Sequence, residues 1–198
     1  MVNYPILPPT NNHSMVPWYN HAAAFTPEEC DAIIRMSENL NLQAGSVGTA
    51  PSEYQVATAI RNVKTDYIPY NPQTAWLYDK VRDLVVQSNN ECYKYDITGI
   101  FEGLEFLEYN GAGHYHWHID TGQTQASRRK LTFILQLSDP EDYEGCNIEL
   151  FPYTGEQAVS RARGNAVVFP SFWHHRVTPL TSGCRRCLVA WIQGPPFR

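Results

Sequence analysis

The nine residues KLTFILQLS, positions 130–138, decide the fold predicted for this chain. The odd-numbered positions form one fully apolar set: Leu131, Phe133, Leu135 and Leu137. The even-numbered positions form a mixed set: Thr132, Ile134, Gln136 and Ser138. Because successive side chains of a β-strand point to opposite faces, the stretch predicts a strand with one face on an apolar core. The mixed face is typical of a barrel wall that lines a polar cavity.

A second stretch, RRCLVAWIQ at positions 185–193, also predicts a strand with two distinct faces. One parity contains Arg185, Cys187, Val189 and Trp191, and the other contains Arg186, Leu188, Ala190 and Ile192. If the first face lines the cavity, the Arg185 guanidinium is held inside the protein. A buried guanidinium needs an anionic partner, and a bound carboxylate would supply one.

From about residue 97 onward, the whole sequence follows a period of two. Seven segments are predicted as strands: Phe101–Tyr109, Tyr115–Asp120, Lys130–Ser138, Asn147–Phe151, Asn165–Phe169, His175–Thr178 and Arg185–Gln193. Turn-forming residues separate them, as in Asp139-Pro140 and Tyr153-Thr154-Gly155. The gaps are too short for crossover helices, so we expect an antiparallel sheet closed as a sandwich or jelly roll.

The residues before this region predict two helices. Residues 1–25 follow neither period and predict an irregular arm that lies across the body. Thr26-Pro27-Glu28-Glu29 is a capping box ahead of an amphipathic pattern, which predicts a helix near residues 27–39. Asn71-Pro72 repeats the cap-plus-proline signal and predicts a second helix, which stops before Asn89-Asn90.

The fold class predicted from these patterns is α+β, with N-terminal helices flanking a jelly-roll (double-stranded β-helix, cupin-like) core. Residues 41–70 are predicted to form loops with a strand or two. We find no internal repeat, low-complexity tract or linker, so residues 1–198 are predicted to form one domain. The arm and supporting helices would occupy residues 1–96 and the jelly roll residues 97–198.

Composition excludes several classes of protein. Of the 198 residues, 43% are hydrophobic and 18% are charged, which argues against disordered and collagen-like chains. The net charge of −5 leaves no positive surplus for a nucleic-acid or anionic-membrane partner. No lysine or arginine precedes Arg35 and no long apolar run exists, so neither a signal peptide nor a transmembrane helix is expected. Five cysteines, an odd number, predict reduced thiols and a cytoplasmic location.

Five of the seven histidines lie in two clusters: His114, His116 and His118, then His174 and His175. His118 and Asp120 form an H-x-D pair, and on a strand both side chains can reach one ion. A histidine from the second cluster would complete two imidazoles and one carboxylate, which suits Fe(II) with open coordination positions. Arg185 follows about ten residues later, where it can receive the distal carboxylate of a metal-bound keto-acid.

Residues 100–193 resemble the 2-oxoglutarate- and Fe(II)-dependent oxygenases of the prolyl 4-hydroxylase-like branch, which includes PKHD-type hydroxylases. Several motifs recur in the family's order with compatible gaps. They are Tyr109…Gly113-His114-Tyr115…His118-Ile119-Asp120, Arg129-Lys130-Leu131…Gln136-Leu137-Ser138-Asp139-Pro140, Tyr143-Glu144-Gly145, Gly164-Asn165-Ala166-Val167-Val168-Phe169-Pro170-Ser171, His175-Arg176-Val177-Thr178-Pro179 and Gly183-Cys184-Arg185 through Trp191-Ile192.

The resemblance implies the residues of a catalytic site. It implies that His118, Asp120 and His175 bind iron. It also implies that Arg185 completes the catalytic set by forming a salt bridge with the 5-carboxylate of 2-oxoglutarate. The implied cofactors are Fe(II), 2-oxoglutarate and dioxygen, and ascorbate is included as an accessory ligand.

Three further residues are implied to surround the co-substrate. Tyr109 matches the tyrosine that forms a hydrogen bond with 2-oxoglutarate. Trp191 matches an aromatic position near the metal, and Gln136 matches a polar position that faces the cavity. The polar segment Thr121–Ser127 follows the H-x-D pair and could fold over the mouth as a lid.

Other interpretations of these motifs stay open. Adjacent strand residues point opposite ways, so only one of His174 and His175 can be a ligand, and the family match favours His175. Cys184-x-x-Cys187 could be half of a zinc site, but residues three apart on a strand face opposite ways. A non-catalytic jelly-roll binding module would need a damaged ligand set or a missing arginine. A zinc hydrolase on a similar barrel would not require Arg185.

The resemblance also indicates a class of substrate. The resemblance favours a peptidyl proline converted to 4-hydroxyproline with release of succinate and carbon dioxide. A non-prolyl substrate is the alternative. The expected partner is therefore a peptide or protein, with a proline-containing segment favoured.

Overall fold

The computed structural model describes residues 16–48, 55–152 and 159–196. The first 15 residues of the predicted arm and the predicted turn Tyr153-Thr154-Gly155 lie outside the described residues. The described helices are α1 (Pro27–Ser37) and α2 (Ala75–Ser88), and short helical turns span Asn89–Tyr93, Thr124–Arg128 and Pro140–Asp142. The first strands are β1 (Tyr19–His21), β2 (Gln43–Ala44), β3 (Ser46–Val47), β4 (Gln55–Val56), β5 (Arg61–Asn62), β6 (Lys64–Ile68), β7 (Gly99–Tyr109) and β8 (His114–His118). The later strands are β9 (Arg129–Gln136), β10 (Tyr143–Gly145), β11 (Ile148–Leu150), β12 (Ala166–Pro170), β13 (His175–Val177), β14 (Leu180–Gly183) and β15 (Arg185–Gln193).

The core of the molecule contains two antiparallel sheets. The larger has the order β1-β12-β9-β15-β7-β6-β2, and the smaller has the order β11-β13-β8-β5. Two small antiparallel pairs, β10 with β14 and β3 with β4, complete the described sheet structure. All pairings between the described strands are antiparallel. The predicted α+β class with an antiparallel jelly-roll core is confirmed.

The two faces of the larger sheet have different roles, as the alternation of residues predicts. Leu131, Phe133 and Leu135 of β9 belong to a buried cluster that includes Ile33 of α1 and Leu77 of α2. The opposite face of the same sheet contributes to a second cluster, together with residues of the smaller sheet. That second cluster includes Ile134, Cys187, Val189, Trp191, Ile148 and Val177. One face therefore packs on the helices, and the other lines the interior between the sheets.

Helix α1 begins as its capping box predicts. The Thr26 hydroxyl accepts a hydrogen bond from the Glu29 backbone N–H at 3.3 Å, and the Glu29 carboxylate accepts one from the Thr26 N–H at 2.8 Å. These reciprocal bonds satisfy two donors that the first turn of a helix otherwise leaves free. The helix ends at Ser37, slightly before the predicted end at residue 39.

Helix α2 begins three residues after Pro72, the proline predicted to mark its start. Asn71, predicted as the cap of this helix, has a different role. The Asn71 side chain accepts hydrogen bonds from the backbone N–H groups of Gln73 and Thr74, at 2.9 and 3.2 Å. These bonds form a local turn, and the α-helix begins at Ala75. Asparagine side chains compete with helices for nearby backbone donors, so the same residue type caps a turn here.

The N-terminal half contributes more strands than its sequence predicts. Tyr19–His21, within the predicted irregular arm, pairs with β12 at the edge of the larger sheet. Residues 41–70 contain five short strands in their described part, where a strand or two was expected. Apart from β6, which has five residues, these strands have two or three residues and are too short to show a period of two, so sequence patterns do not reveal them. None of the helices in the described ranges has the length and apolar character needed to cross a membrane.

Candidate metal centre

Three side chains from the predicted ligand set meet between the two sheets. β13 pairs with β8 so that His175 lies opposite His118, and Asp120 follows two residues after the end of β8. One ligand atom from each of the three residues lies within 4.8 Å of the others. The Nε2 atoms of His118 and His175 lie 3.6 and 3.5 Å from the two carboxylate oxygens of Asp120.

The backbone fixes the orientation of both imidazole rings. His118 Nδ1 lies 2.7 Å from the carbonyl oxygen of His116, and His175 Nδ1 lies 3.0 Å from that of Trp173. A carbonyl oxygen is only an acceptor, so each Nδ1 carries a proton and each Nε2 is the ring nitrogen that faces Asp120. Such outer contacts are typical of metal-binding histidines.

The Asp120 carboxylate is held by its surroundings in a comparable way. The Thr132 hydroxyl of β9 donates a hydrogen bond to Asp120 Oδ2 at 2.6 Å. Arg129 Nη1 donates to the Asp120 backbone oxygen at 3.1 Å. These contacts connect the ligand cluster of the smaller sheet to β9 of the larger sheet.

The protonation states of the cluster suit a divalent cation. Burial, together with the neighbouring His118, lowers the pKa of His175 to about 4, so its ring is neutral at pH 7. Burial works to raise the pKa of Asp120, but the adjacent His175 and His118 hold it well below its usual range. Two imidazoles and one carboxylate form the facial ligand set that non-haem iron(II) uses in oxygenases. The donor set therefore fits iron(II).

His174 is placed away from this cluster. Its side chain is exposed and lies beside Trp117 and Phe151 on the outside of the protein. His175 is 4% exposed and points between the sheets. Between the two adjacent histidines, the geometry favours His175 as the ligand.

Arg185 lies on the interior face of β15, deep between the sheets. It is 1% exposed and donates from Nε and Nη2 to Gln136 Oε1, at 3.2 and 2.8 Å. Its guanidinium carbon lies 5.4 Å from the centre of the Tyr109 ring. Among the described residues, no carboxylate lies within ion-pair distance of Arg185. A buried cation without an anion is costly, so this site fits the carboxylate of an anionic co-substrate.

Tyr109 and Trp191 lie where they can contact a molecule bound at the cluster. Both line the cavity that contains His118, Asp120 and His175. Burial raises the pKa of Tyr109 well above its usual value, so the phenol keeps its proton and remains a hydrogen-bond donor. The Arg129 guanidinium stacks over Trp191 with a 3.7 Å separation from the ring centre.

A β-bulge in β8 changes which residues face the cavity. The pairing of His175 with His118 and of Val177 with Tyr115 leaves one extra residue in β8. Tyr115 therefore shares the interior side with His118, and the two rings stack 3.5 Å apart. Strict alternation places His116 beside His118, but the His116 side chain is exposed.

Other residues at the cavity were not identified from the sequence. Glu105 of β7 and Arg61 of β5 form a buried ion pair of 2.9 Å beside Tyr115. Glu105 and Tyr109 are both at odd-numbered positions of β7, so they lie on the same face of the strand. The alternation pattern could therefore have identified Glu105 as a carboxylate on an interior face. The residues around Arg61 show no comparable pattern. Thr132 was recognised only as a member of the mixed face of β9.

The comparisons with known proteins agree with this geometry. Residues 104–193 match the 2OG-Fe(II) oxygenase superfamily. A PKHD-type hydroxylase of Prochlorococcus marinus is 30% identical over 117 residues, covering 58% of this chain and 53% of that protein. A PKHD-type hydroxylase of Acidovorax ebreus is 38% identical over 95 residues, covering 45% of this chain and 42% of that protein. The chain thus spans about half the length of the curated relatives it matches.

Solved structures show the same fold. A Pseudomonas putida prolyl-4-hydroxylase has a TM-score of 0.68 at 18% identity, covering 90% of this chain and 92% of that one. A Trichoplax adhaerens prolyl hydroxylase, in complex with a peptide fragment of the hypoxia inducible factor oxygen degradation domain, has a TM-score of 0.71 at 18% identity. That match covers 90% of this chain and 84% of that one. Residues 104–193 thus match the 2OG-Fe(II) oxygenase superfamily, and most of the chain has the fold of solved prolyl hydroxylases.

Proposed function

We propose that this chain is a 2-oxoglutarate- and Fe(II)-dependent dioxygenase that hydroxylates an amino-acid side chain. One observation carries the proposal: a two-histidine, one-carboxylate cluster shares its interior with a buried arginine that has no carboxylate partner among the described residues. The first feature fits a metal with open positions, and the second fits the far end of a dicarboxylic co-substrate.

Each protein group has a distinct part in this proposal. His118, Asp120 and His175 would hold the iron through two Nε2 atoms and one carboxylate. Arg185 would bind the distal carboxylate of 2-oxoglutarate, held in place by Gln136, and the Tyr109 hydroxyl would donate a hydrogen bond to the co-substrate. When bound, iron and 2-oxoglutarate supply the oxidising power for C–H hydroxylation by dioxygen, with release of succinate and carbon dioxide.

The interior location of these groups supports the proposed chemistry. Asp120 and His175 are buried, and Trp191 covers the cavity at 7% exposure. A second, larger cavity adjoins the first and shares Glu105, Tyr115, Asp120 and Trp191 with it. Its wall includes residues 46–48 and, from the predicted lid segment Thr121–Ser127, Thr121, Gly122 and Ala126. A substrate entering there would present one carbon to the metal while the protein limits access of water.

We propose a peptidyl proline as the substrate, with 4-hydroxyproline as the product. The support is similarity: two of the solved structures with this fold are a prolyl-4-hydroxylase and a prolyl hydroxylase bound to a peptide fragment. A non-prolyl side chain remains the alternative. A non-catalytic module is disfavoured because the ligand cluster and Arg185 are all present, and a zinc hydrolase has no use for Arg185.

Anaerobic absorption spectroscopy tests the cofactor part. Fe(II) and 2-oxoglutarate together should give a weak visible charge-transfer band. Asp120→Ala should abolish the band, and Arg185→Gln should weaken 2-oxoglutarate binding by at least about tenfold because a charge-assisted bond is lost. Arg186→Gln is the matched control, since Arg186 pairs with Glu108 on the other face. A missing band in the wild type, or a band that persists in Asp120→Ala, would contradict the proposal.

Succinate formation tests the substrate part. A panel of proline-containing peptides should stimulate succinate production, with a mass increase of one oxygen on proline. Matched peptides with alanine in place of proline serve as controls. Equal stimulation by both sets, or oxygen found on another residue, would favour the non-prolyl alternative.

A further inference from the structure

A second polar cluster lies inside the barrel, beside the proposed metal site. Arg61 Nη2 donates to Glu105 Oε1 at 2.9 Å, and the Thr65 hydroxyl donates to the same oxygen at 2.7 Å. Arg61 Nη1 also donates to the Ser46 backbone oxygen at 3.0 Å. Glu105 is 2% exposed and Arg61 is 8% exposed. A buried ion pair gains little stability over apolar packing, so a pair at this position calls for another explanation.

Among the described residues, only one oxygen of the Glu105 carboxylate is hydrogen-bonded. Oε1 accepts both hydrogen bonds, whereas Oε2 is buried and has no hydrogen-bond partner among the described residues. Buried carboxylate oxygens normally accept hydrogen bonds, because losing water without a replacement is costly. Glu105 lines both the cavity of the metal cluster and the adjoining larger cavity. Oε2 is therefore an unpaired acceptor on a residue in the wall of these cavities.

The ion pair is in direct contact with the surroundings of the metal cluster. The Arg61 guanidinium lies over the Tyr115 ring, 5.1 Å from its centre. The Tyr115 ring in turn stacks on that of His118 at 3.5 Å. A group bound to Glu105 would therefore lie one side chain away from a proposed iron ligand.

The charges around these cavities select the kind of group that can bind. Among the described residues that line them, Arg61 is paired with Glu105 and Arg129 with Glu102. Neither arginine is thus available to a second anion, and an anionic group would be repelled by the lone pairs of Oε2. An N–H donor is the complementary group for a carboxylate oxygen.

We propose that Glu105 is a substrate-binding residue, which accepts a hydrogen bond from a backbone or amino N–H group of the substrate while the substrate's side chain is presented to the metal. The proposal rests on the proposed function and specifies its substrate. A proline within a peptide has no N–H, so the donor would be the amide of the following residue. In a free imino acid the ammonium group would take this role.

Saturation-transfer NMR on the metal-free protein tests the subsite with three probes. N-acetyl-L-proline methylamide carries one amide N–H, and N-acetyl-L-proline methyl ester has an oxygen in its place. L-proline methyl ester carries the ammonium group. We expect at least one N–H probe to show about fivefold or more stronger saturation than the acetylated ester, as the loss of one hydrogen bond to a charged group implies. The stronger of the two N–H probes identifies the source of the donor.

Glu105→Gln assigns the effect to this residue. The amide can keep an oxygen toward Arg61 and Thr65 while presenting an NH₂ group to the cavity, so the preference for N–H probes should disappear. Glu108→Gln, on the same strand and paired with Arg186, should leave the preference unchanged. Equal saturation by all three probes, or a preference that survives Glu105→Gln, overturns the proposal. The wild-type comparison of probes holds even if Glu105→Gln does not fold.

The iron and 2-oxoglutarate absorption band, measured on the same proteins, separates this proposal from the proposed function. A band without N–H preference would reject the subsite alone. An N–H preference without a band would reject the oxygenase assignment and leave Glu105 as a binding residue.

Discussion

At the scale of single residues, the orientation of the metal cluster depends on the backbone two positions before each histidine. The carbonyl oxygens of His116 and Trp173 hold Nδ1 of His118 and His175, and both Nε2 atoms therefore face Asp120. The local chain thus sets the tautomer before any metal arrives. This arrangement lowers the cost of ordering the ligands when iron binds.

The adjacent histidines offer a direct test of the ligand assignment. Loss of a hydrogen bond that orients a metal ligand typically lowers metal affinity roughly 10–100-fold. His175→Ala removes a ligand itself, so it should lower iron affinity by more than this. His174→Ala removes an exposed ring on the other side of the strand and should bind iron as the wild type does. Anaerobic iron titration measures both. If only His174→Ala loses iron, the assignment is wrong.

Thr132 tests the contact that holds the carboxylate. Thr132→Val keeps the shape of the side chain but removes the hydroxyl that donates to Asp120 Oδ2. We expect iron affinity to fall about 10–100-fold, as for other lost outer contacts. Thr132→Ser retains the hydroxyl and should recover most of the affinity. Equal affinity in Thr132→Val and the wild type would show that this hydrogen bond does not support metal binding.

At the scale of elements, the N-terminal strand β1 is attached to the rest of the molecule by pairing and by one buried side chain. It pairs with β12, and His21 Nε2 lies 2.7 Å from the Ser88 hydroxyl oxygen at the end of α2. The Ser88 hydroxyl donates to the Leu84 carbonyl, so it accepts from the neutral His21 ring. The bond connects the edge of the larger sheet to the helix layer.

This contact predicts a pH dependence of stability. Burial lowers the pKa of His21, although the backbone of Leu84 and the nearby Glu91 act in the opposite direction. The unfolded chain therefore binds more protons than the folded one just below pH 6.5, and folding stability decreases as pH falls through that range. Urea unfolding at pH 7.5 and 5.5 should show that the free energy of unfolding falls less between these pH values in His21→Gln than in the wild type. An equal decrease in both proteins would mean that His21 does not contribute to the pH dependence of stability.

At the scale of the whole molecule, the proposed metal site connects the two sheets. His118 and His175 belong to the smaller sheet, whereas Thr132, which holds Asp120, belongs to the larger one. The space between the sheets contains polar and ionic groups as well as an apolar cluster. Ligand binding there should therefore couple to the stability of the entire fold.

Metal loading should raise the melting temperature. A metal that binds only the folded state adds roughly 2.7 kcal/mol to the free energy of unfolding when its free concentration is about 100 times its Kd. For a chain of this length, that corresponds to a rise of roughly 5–10 °C, measurable by calorimetry with Mn(II) under air. His175→Ala should show no rise, and a chelator should reverse the effect in the wild type. An equal rise in His175→Ala would place the metal elsewhere.

The core strands could be predicted because they are long and have distinct faces. The alternation in 130–138 and 185–193 places the apolar side chains on the helix side and Arg185 on the interior side, as the structure does. The short strands β1 and β5 could not be predicted, because two or three residues show no period. The bulge in β8 was also hidden, since it depends on pairing with β13, and it moves Tyr115 rather than His116 to the interior.

The sequence by itself determined the strand pattern of the core, the capped first helix and the residue types of the site, because these depend on local periodicity and spacing. Only the tertiary structure decided which distant groups meet. Arg61 and Glu105 are 44 positions apart, and β5 brings Arg61 to the interior by pairing with β8. Strand register and a single bulge set such contacts, and both arise from packing of the whole chain rather than from any local stretch.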